Sequence, residues 1–103
     1  MSTETSLTVT AKPVNGNHAE FVVAGEVDAA THHLLRNALV AAVEGGAKDL
    51  VIDMSDVTFM DSSGLRGLVE SIRLGAGVTL RHVRPAVQQV FDIVAIRGIQ
   101  IEE

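Results

Sequence analysis

Residues 57–66 read Val-Thr-Phe-Met-Asp-Ser-Ser-Gly-Leu-Arg and join two strongly patterned segments of the chain. Before them, the short apolar run 49–54 is typical of a buried strand. After them, apolar residues recur at helical spacing, at Leu65, Leu68, Val69 and Ile72. The sequence therefore predicts a strand that leads through a polar junction into a helix over 62–74.

Two interpretations of this junction remain open. Asp61, Ser62 and Ser63 are residue types whose side-chain oxygens accept hydrogen bonds from the free N–H groups of a first helical turn. The structural interpretation makes them a helix cap, with Phe59 and Met60 inserted into the core. The functional interpretation makes one serine a regulatory hydroxyl, because a helix start tolerates an added phosphate.

A glycine in the predicted first turn, Gly64, supports the functional interpretation. Glycine is less favourable than alanine inside a helix by about 1 kcal/mol, and that cost needs a reason. One reason is close approach by the backbone of another protein or by a nucleotide. We therefore expect Gly64 to leave room for a partner.

Composition narrows the class of protein. The chain has 103 residues, of which 47% are hydrophobic, so we expect one domain with a single core, preceded by a loose tail over 1–6. The absence of cysteine excludes a disulfide framework and a thiolate metal site. No apolar run reaches the ~18 residues of a membrane-spanning helix, and no signal peptide is recognisable, so we expect a cytoplasmic protein without membrane insertion. A net charge of −5 argues against nucleic acid as the main partner.

The first part of the chain predicts a β-hairpin. Leu7, Val9 and Ala11 alternate with polar residues, as in a half-buried strand. Asn15-Gly16 is a strong turn signal, and the apolar run 21–25 predicts the returning strand.

The remainder predicts crossover units. A helix capped by Asp28 runs to Glu44, and the strand 49–54 follows. This strand-helix-strand unit predicts two parallel strands joined by a right-handed crossover. This topology places the loop 26–28 near the loop 55–62 and brings Asp28 towards Ser62. A further strand over 78–83, a helix starting at Pro85 and a short edge strand over 99–101 complete an α/β fold with a mixed sheet.

Catalysis and metal binding receive little support. His32 and His33 are adjacent on a helix and point in different directions, and neither they nor His18 and His82 form a pair with metal-ligand spacing. The nucleophile pattern G-x-S-x-G is absent, because Met60 stands where its first glycine belongs. Phosphate-loop and dinucleotide fingerprints are also missing. We expect no catalytic residue, no metal and no cofactor.

Three motifs together resemble a known family. Residues 59–65, Phe-Met-Asp-Ser-Ser-Gly-Leu, resemble the signature of the STAS domain, in particular that of bacterial anti-sigma-factor antagonists. Gly25-Glu26-Val27-Asp28 and Pro85-Ala86-Val87 match in the family's order and approximate spacing. The resemblance covers nearly the whole chain and implies a STAS-like fold, a mixed sheet with helices.

The resemblance also implies a function and its residues. The serine directly after the aspartate, Ser62, would be phosphorylated by an anti-sigma factor with serine kinase activity, with Ser63 as the second choice. Unphosphorylated, the chain would capture that anti-sigma factor and free a sigma factor, and a phosphatase would reverse the modification. The expected partner-binding residues are Asp28, Asp61, Ser62, Ser63, Gly64 and Leu65.

Two other functions remain open. One is a STAS scaffold or accessory subunit in a stress-signalling or transporter complex. The other, from a different class, is a module that senses a small ligand or nucleotide at the same edge of the sheet. The intact sequence Asp61-Ser62-Ser63-Gly64 favours the antagonist.

Overall fold

The computed structural model describes residues 7–12, 16–93 and 96–102. The expected tail over 1–6 and Asn15 of the predicted turn lie outside these residues. In chain order the elements are β1 (Leu7–Ala11), β2 (His18–Val27), α1 (His32–Glu44), β3 (Asp49–Met60), a 3₁₀ turn (Ser62–Gly64), α2 (Leu65–Arg73), β4 (Gly77–Arg81), α3 (Pro85–Ile93) and β5 (Ile99–Glu102).

The sheet has the predicted mixed topology. Its strands follow the order β1-β2-β3-β4-β5, with β1 and β2 antiparallel and every later pair parallel. Crossovers between parallel strands are nearly always right-handed, and here each new strand is added on the same side of the last, so the connecting helices are expected on one face of the sheet.

The core lies between this face and the helices. In β2, Ala19, Phe21 and Val23 are buried, whereas His18 and Glu20 on the opposite face are half-exposed. Burying a large apolar side chain contributes about 1.5–3 kcal/mol, so this layer supplies most of the driving force for folding. The largest fully buried side chains are those of Leu7, Leu35, Leu39, Leu50, Ile52, Met54, Leu68 and Leu80.

The central strand β3 is twice as long as predicted. It has 12 residues against the 10 of β2, because each of two register shifts inserts one extra residue into β3. At the first shift, the Ser55 N–H donates to Asp53 Oδ1 at 2.9 Å, and this hydrogen bond lowers the pKa of the Asp53 carboxyl. The prediction of a loop from Ser55 was therefore wrong, since a bulged strand continues to Met60.

The second bulge turns Phe59 outwards, so the prediction that Phe59 inserts into the core was wrong. Gly25 pairs with Val57 and Glu26 with Phe59, so two consecutive β3 residues face outwards. Met60 is buried as expected, but Phe59 is 48% exposed and does not insert into the core.

A smaller difference occurs at β4. The strand ends at Arg81 rather than at residue 83, because His82 adopts φ 58°, in the left-handed region that is incompatible with a continuing strand. The predicted edge strand β5 is confirmed and pairs with β4 in parallel.

Candidate functional site

The carboxyl ends of β2 and β3 meet at one edge of the sheet. Val27 pairs with Met60, and the Asp61 N–H donates to the Val27 carbonyl oxygen at 3.1 Å. The predicted juxtaposition of the two strand ends is confirmed. Asp28 and Asp61, the first residues beyond the strands, consequently lie at the same edge.

Asp61 caps the turn that follows β3. It has extended backbone angles, φ −111° and ψ −174°, and its Oδ1 accepts a hydrogen bond from the Ser63 N–H at 2.8 Å. Its carbonyl oxygen accepts another from the Gly64 N–H at 3.0 Å. The cap is therefore made by Asp61, which leaves the neighbouring serine hydroxyls free of this structural task.

Ser62 and Ser63 differ in accessibility. Ser62 is exposed, and within the described residues its side chain makes no hydrogen bond. Ser63 is half-buried, and its N–H is engaged by Asp61. The Ser62 hydroxyl is thus the more accessible of the two.

Asp28 organises a turn ahead of α1 rather than capping the helix directly. Its Oδ1 accepts hydrogen bonds from the Ala30 N–H at 2.9 Å and the Thr31 N–H at 3.0 Å. The buried Thr31 hydroxyl donates to the Glu26 carbonyl oxygen at 2.7 Å. The helix therefore begins at His32, four residues after Asp28, because residues 28–31 form this hydrogen-bonded turn.

The space beside Gly64 is filled by side chains of the protein itself. A Cβ atom at this position would lie 2.6 Å from Met60 Cε and 2.8 Å from Val27 Cγ1. Glycine is therefore required here by the packing of the two strand ends, not by the approach of another molecule. Its role in partner binding stays a prediction.

A groove of about 570 Å³ runs from Ser62 along the outer face of α2. Leu65, although mostly buried, contributes to its floor, and Leu74 at the far end is 50% exposed. The groove is lined by Ser62, Leu65, Arg66, Val69, Glu70, Arg73 and Leu74.

The position of α2 is fixed by a contact with α1 that we did not predict. Arg36 donates from Nε to Glu70 Oε1 at 2.9 Å and from Nη2 to Glu70 Oε2 at 2.7 Å. This two-pronged hydrogen bond lowers the pKa of the Glu70 carboxyl. Gly67 allows the close approach, since a Cβ there would lie 2.7 Å from Arg36 Cα. A glycine inside a helical pattern was the available signal for this contact.

Residues 7–12, 16–93 and 96–102 contain no group of three His, Cys, Asp or Glu side chains placed to hold a metal ion. No helix in these ranges is both long and apolar enough to span a membrane.

The cap geometry makes a testable distinction between adjacent residues. Asp61→Ala should lower the free energy of unfolding by about 1 kcal/mol, because it removes the acceptor for the Ser63 N–H. Ser62→Ala should change it by less than about 0.5 kcal/mol, as is usual for an exposed residue without structural partners. Urea denaturation of both variants, followed by circular dichroism, measures the difference. A larger loss in Ser62→Ala than in Asp61→Ala would return the capping role to Ser62.

Comparison with known proteins agrees with the fold. The family model described as Mlab, STAS domain, matches residues 11–101. An anti-sigma-B factor antagonist of Bacillus subtilis (strain 168) is 34% identical over 89 residues, which cover 82% of this chain and 81% of the relative.

Solved structures give the same result. An anti-sigma factor antagonist from Mycobacterium paratuberculosis superposes with a TM-score of 0.70 and 31% identity, over 85% of this chain and 77% of that one. The anti-sigma factor antagonist SpoIIAA in its unphosphorylated form shares the fold, with a TM-score of 0.72 and 19% identity over 93% of this chain and 88% of that one. Because the family model spans most of the sequence and the relative exceeds 30% identity, the chain belongs to the STAS domain family.

Proposed function

We propose that this protein is an anti-sigma-factor antagonist controlled by phosphorylation of Ser62. Unphosphorylated, it binds an anti-sigma factor that is itself a serine kinase, and a sigma factor is thereby released. Phosphorylation of Ser62 ends the interaction, and a phosphatase restores it. The similarity to the antagonist of Bacillus subtilis, over most of both chains, supports this assignment.

The observation that carries the proposal is the freedom of the Ser62 hydroxyl. It is exposed at the open end of a groove, while the adjacent Asp61 performs the capping that a serine would otherwise supply. A side chain that the fold does not use can be modified without unfolding the domain. Ser63, the second choice, is less accessible and sits within the capped turn.

The remaining proposed contact residues surround this hydroxyl. In both Asp28 and Asp61, the hydrogen bonds found within the described residues use Oδ1. The Oδ2 atoms are then the acceptors available to N–H groups of a partner. Leu65 offers apolar surface in the groove. Gly64 lets the turn pack closely against Met60 and Val27.

The chemistry itself belongs to the partner kinase. The Ser62 oxygen attacks the γ-phosphorus of ATP, ADP leaves, and the hydroxyl proton passes to a base on the kinase. This chain supplies the nucleophilic oxygen as substrate. Its contribution is to present that oxygen at the sheet edge on a turn held by Asp61.

A labelling experiment tests the proposal. The purified chain is incubated with ATP and the serine-kinase anti-sigma factor encoded in the same genome, and the modified residue is located by mass spectrometry. We expect one phosphate, on Ser62, with labelling lost in Ser62→Ala and retained in Ser63→Ala. A phosphate on Ser63 would overturn the site assignment, and no labelling by any co-encoded kinase would overturn the antagonist function.

A further inference from the structure

Ser62 and Arg66 form an unused pair on the surface of the protein. They are four residues apart, Ser62 in the 3₁₀ turn before α2 and Arg66 in the first turn of α2, and both line the groove along α2. Both are exposed. In the unmodified protein the Ser62 hydroxyl and the Arg66 side chain therefore lie in the same groove, and the arginine side chain is long and flexible.

The carboxylate on α2 that could pair with Arg66 in place of a phosphate already has a partner. Glu70 lies four residues further along, at the spacing of a helical ion pair, but Arg36 from α1 engages both of its oxygens. Within the part of the chain that the structure describes, Arg66 takes part in no salt bridge or side-chain hydrogen bond, whereas Arg36, Arg81 and Arg84 do. Because Arg36 engages Glu70, Arg66 is available to bind a group attached to Ser62.

We propose that Arg66 binds the phosphate of phosphorylated Ser62 within the same chain, so that phosphorylation also neutralises this cation in the groove. The inference rests on the proposed function and specifies how that site is regulated. Arginine suits the task, because its planar fork donates two parallel hydrogen bonds to phosphate oxygens. The modification then changes the groove twice, adding an anion at Ser62 and removing a free cation at Arg66.

The capture also offsets unfavourable charges at this edge. Asp28 and Asp61 end the two strands beside Ser62, and a dianion placed there is repelled by both carboxylates. Arg66 faces the phosphate from the helix side and reduces this repulsion. Further titratable groups on the surrounding elements are Glu26 at the end of β2, His32 and His33 at the start of α1, and Glu70, which Arg36 holds.

The test uses protein with phosphoserine installed at position 62 by genetic code expansion, so that it does not depend on any kinase. The titration midpoint of the phosphate, ordinarily near pH 6, is followed by ³¹P NMR at physiological ionic strength. We expect the midpoint to be lower by about 0.5 with Arg66 present than in Arg66→Gln. Because the carboxylates and histidines around the phosphate are unchanged, the difference between the two proteins reports Arg66 alone.

Arg73→Gln is the matched control. It removes the same charge from the same helix face, but Arg73 lies 11 residues after Ser62, which is about 16 Å along the helix axis and beyond the screening length of about 8 Å. Its midpoint should stay within about 0.1 of the parent protein. A second readout is the Nε–H signal of each arginine, which phosphorylation should move for Arg66 and not for Arg73.

Two results would overturn the capture. One is an equal midpoint in the parent protein and Arg66→Gln, and the other is an Arg66 Nε–H signal that phosphorylation does not move. Neither result bears on whether a kinase selects Ser62. Conversely, a failure of the kinase to label Ser62 would refute the proposed function and leave the capture of an installed phosphate intact.

Discussion

Phosphorylation of Ser62 is expected to weaken binding to the anti-sigma factor at least a hundredfold while the fold stays intact. A phosphoserine adds about −1.5 to −2 charges at neutral pH, on a side chain that the unmodified protein leaves exposed. Within the chain, the repulsion from Asp28 and Asp61 is opposed by the start of the helix, which favours an anion by roughly 0.3–1 kcal/mol. These local effects nearly cancel, so the stability of the domain should change little.

The large effect arises at the interface. There a bulky dianion replaces a small hydroxyl and loses water on docking, and any carboxylate that the partner places opposite it repels it. Like charges brought together at an interface cost several kcal/mol, and each 1.4 kcal/mol corresponds to about a tenfold change in affinity. A cost of about 2.8 kcal/mol therefore suffices for the hundredfold loss.

Titration calorimetry of four forms against the partner measures this effect. The phosphorylated protein should bind at least a hundredfold more weakly than the parent, Ser62→Asp should reproduce part of the loss, and Ser62→Ala should bind constitutively. Ser63→Ala is the matched control and should bind like the parent. Circular dichroism verifies that each form is folded. Equal affinities, or tighter binding by the phosphorylated form, would contradict a role of Ser62 as the off-switch.

The topology and the place of the site could be predicted because both follow from general rules. Apolar alternation and a turn signal predicted the hairpin, and strand-helix-strand patterns predicted parallel strands, because a helical crossover returns the chain to the same end of the sheet. Parallel strands end at the same edge, so Asp28 and Asp61 could be placed near one another before the structure was known. The hydrogen bond from the Asp61 N–H to the Val27 oxygen is the outcome of that rule.

The length of β3 and the orientation of its side chains were beyond these rules. Ser55-Asp56 carries a turn signal in sequence, but neighbouring β2 keeps the backbone extended and accommodates the two surplus residues as bulges. A bulge shifts the inward-outward alternation by one residue, which is why Phe59 faces solvent. Such shifts depend on the pairing with another strand, and a single segment of sequence does not reveal them.

Contacts between helices were missed for a related reason. Arg36 and Glu70 are 34 residues apart, and nothing in either local pattern specifies their meeting. Gly64 was singled out in the sequence, but its explanation lies in Met60 and Val27, whose positions follow from the paired strand ends. For Gly64, the type of residue indicated an unusual contact. Neither for Gly64 nor for the pair Arg36 and Glu70 did the sequence reveal which residue each of them would contact.

Gly67→Ala is expected to lower the free energy of unfolding by about 1–2 kcal/mol, although alanine is the better helix former by about 1 kcal/mol. The added Cβ would lie 2.7 Å from Arg36 Cα, 3.0 Å from Arg36 Cβ and 3.2 Å from Arg36 N. Two of these atoms belong to the backbone of α1 and cannot turn aside as the end of a side chain can. Overpacking of this kind costs about 1–3 kcal/mol and outweighs the gain in helix propensity.

To relieve the clash between the new Cβ and Arg36, α1 and α2 have to move apart. The fork between Arg36 and Glu70 would lengthen, which frees Glu70 to pair with Arg66 on its own helix. Urea denaturation gives the stability, and the Nε–H signals of Arg36 and Arg66 report the exchange of partners. Arg73→Ala, at an exposed position of the same helix, should change stability by less than about 0.5 kcal/mol. If Gly67→Ala were instead as stable as the parent or more so, the close contact between the helices at this position would be refuted, and with it the reason why Arg66 is left free.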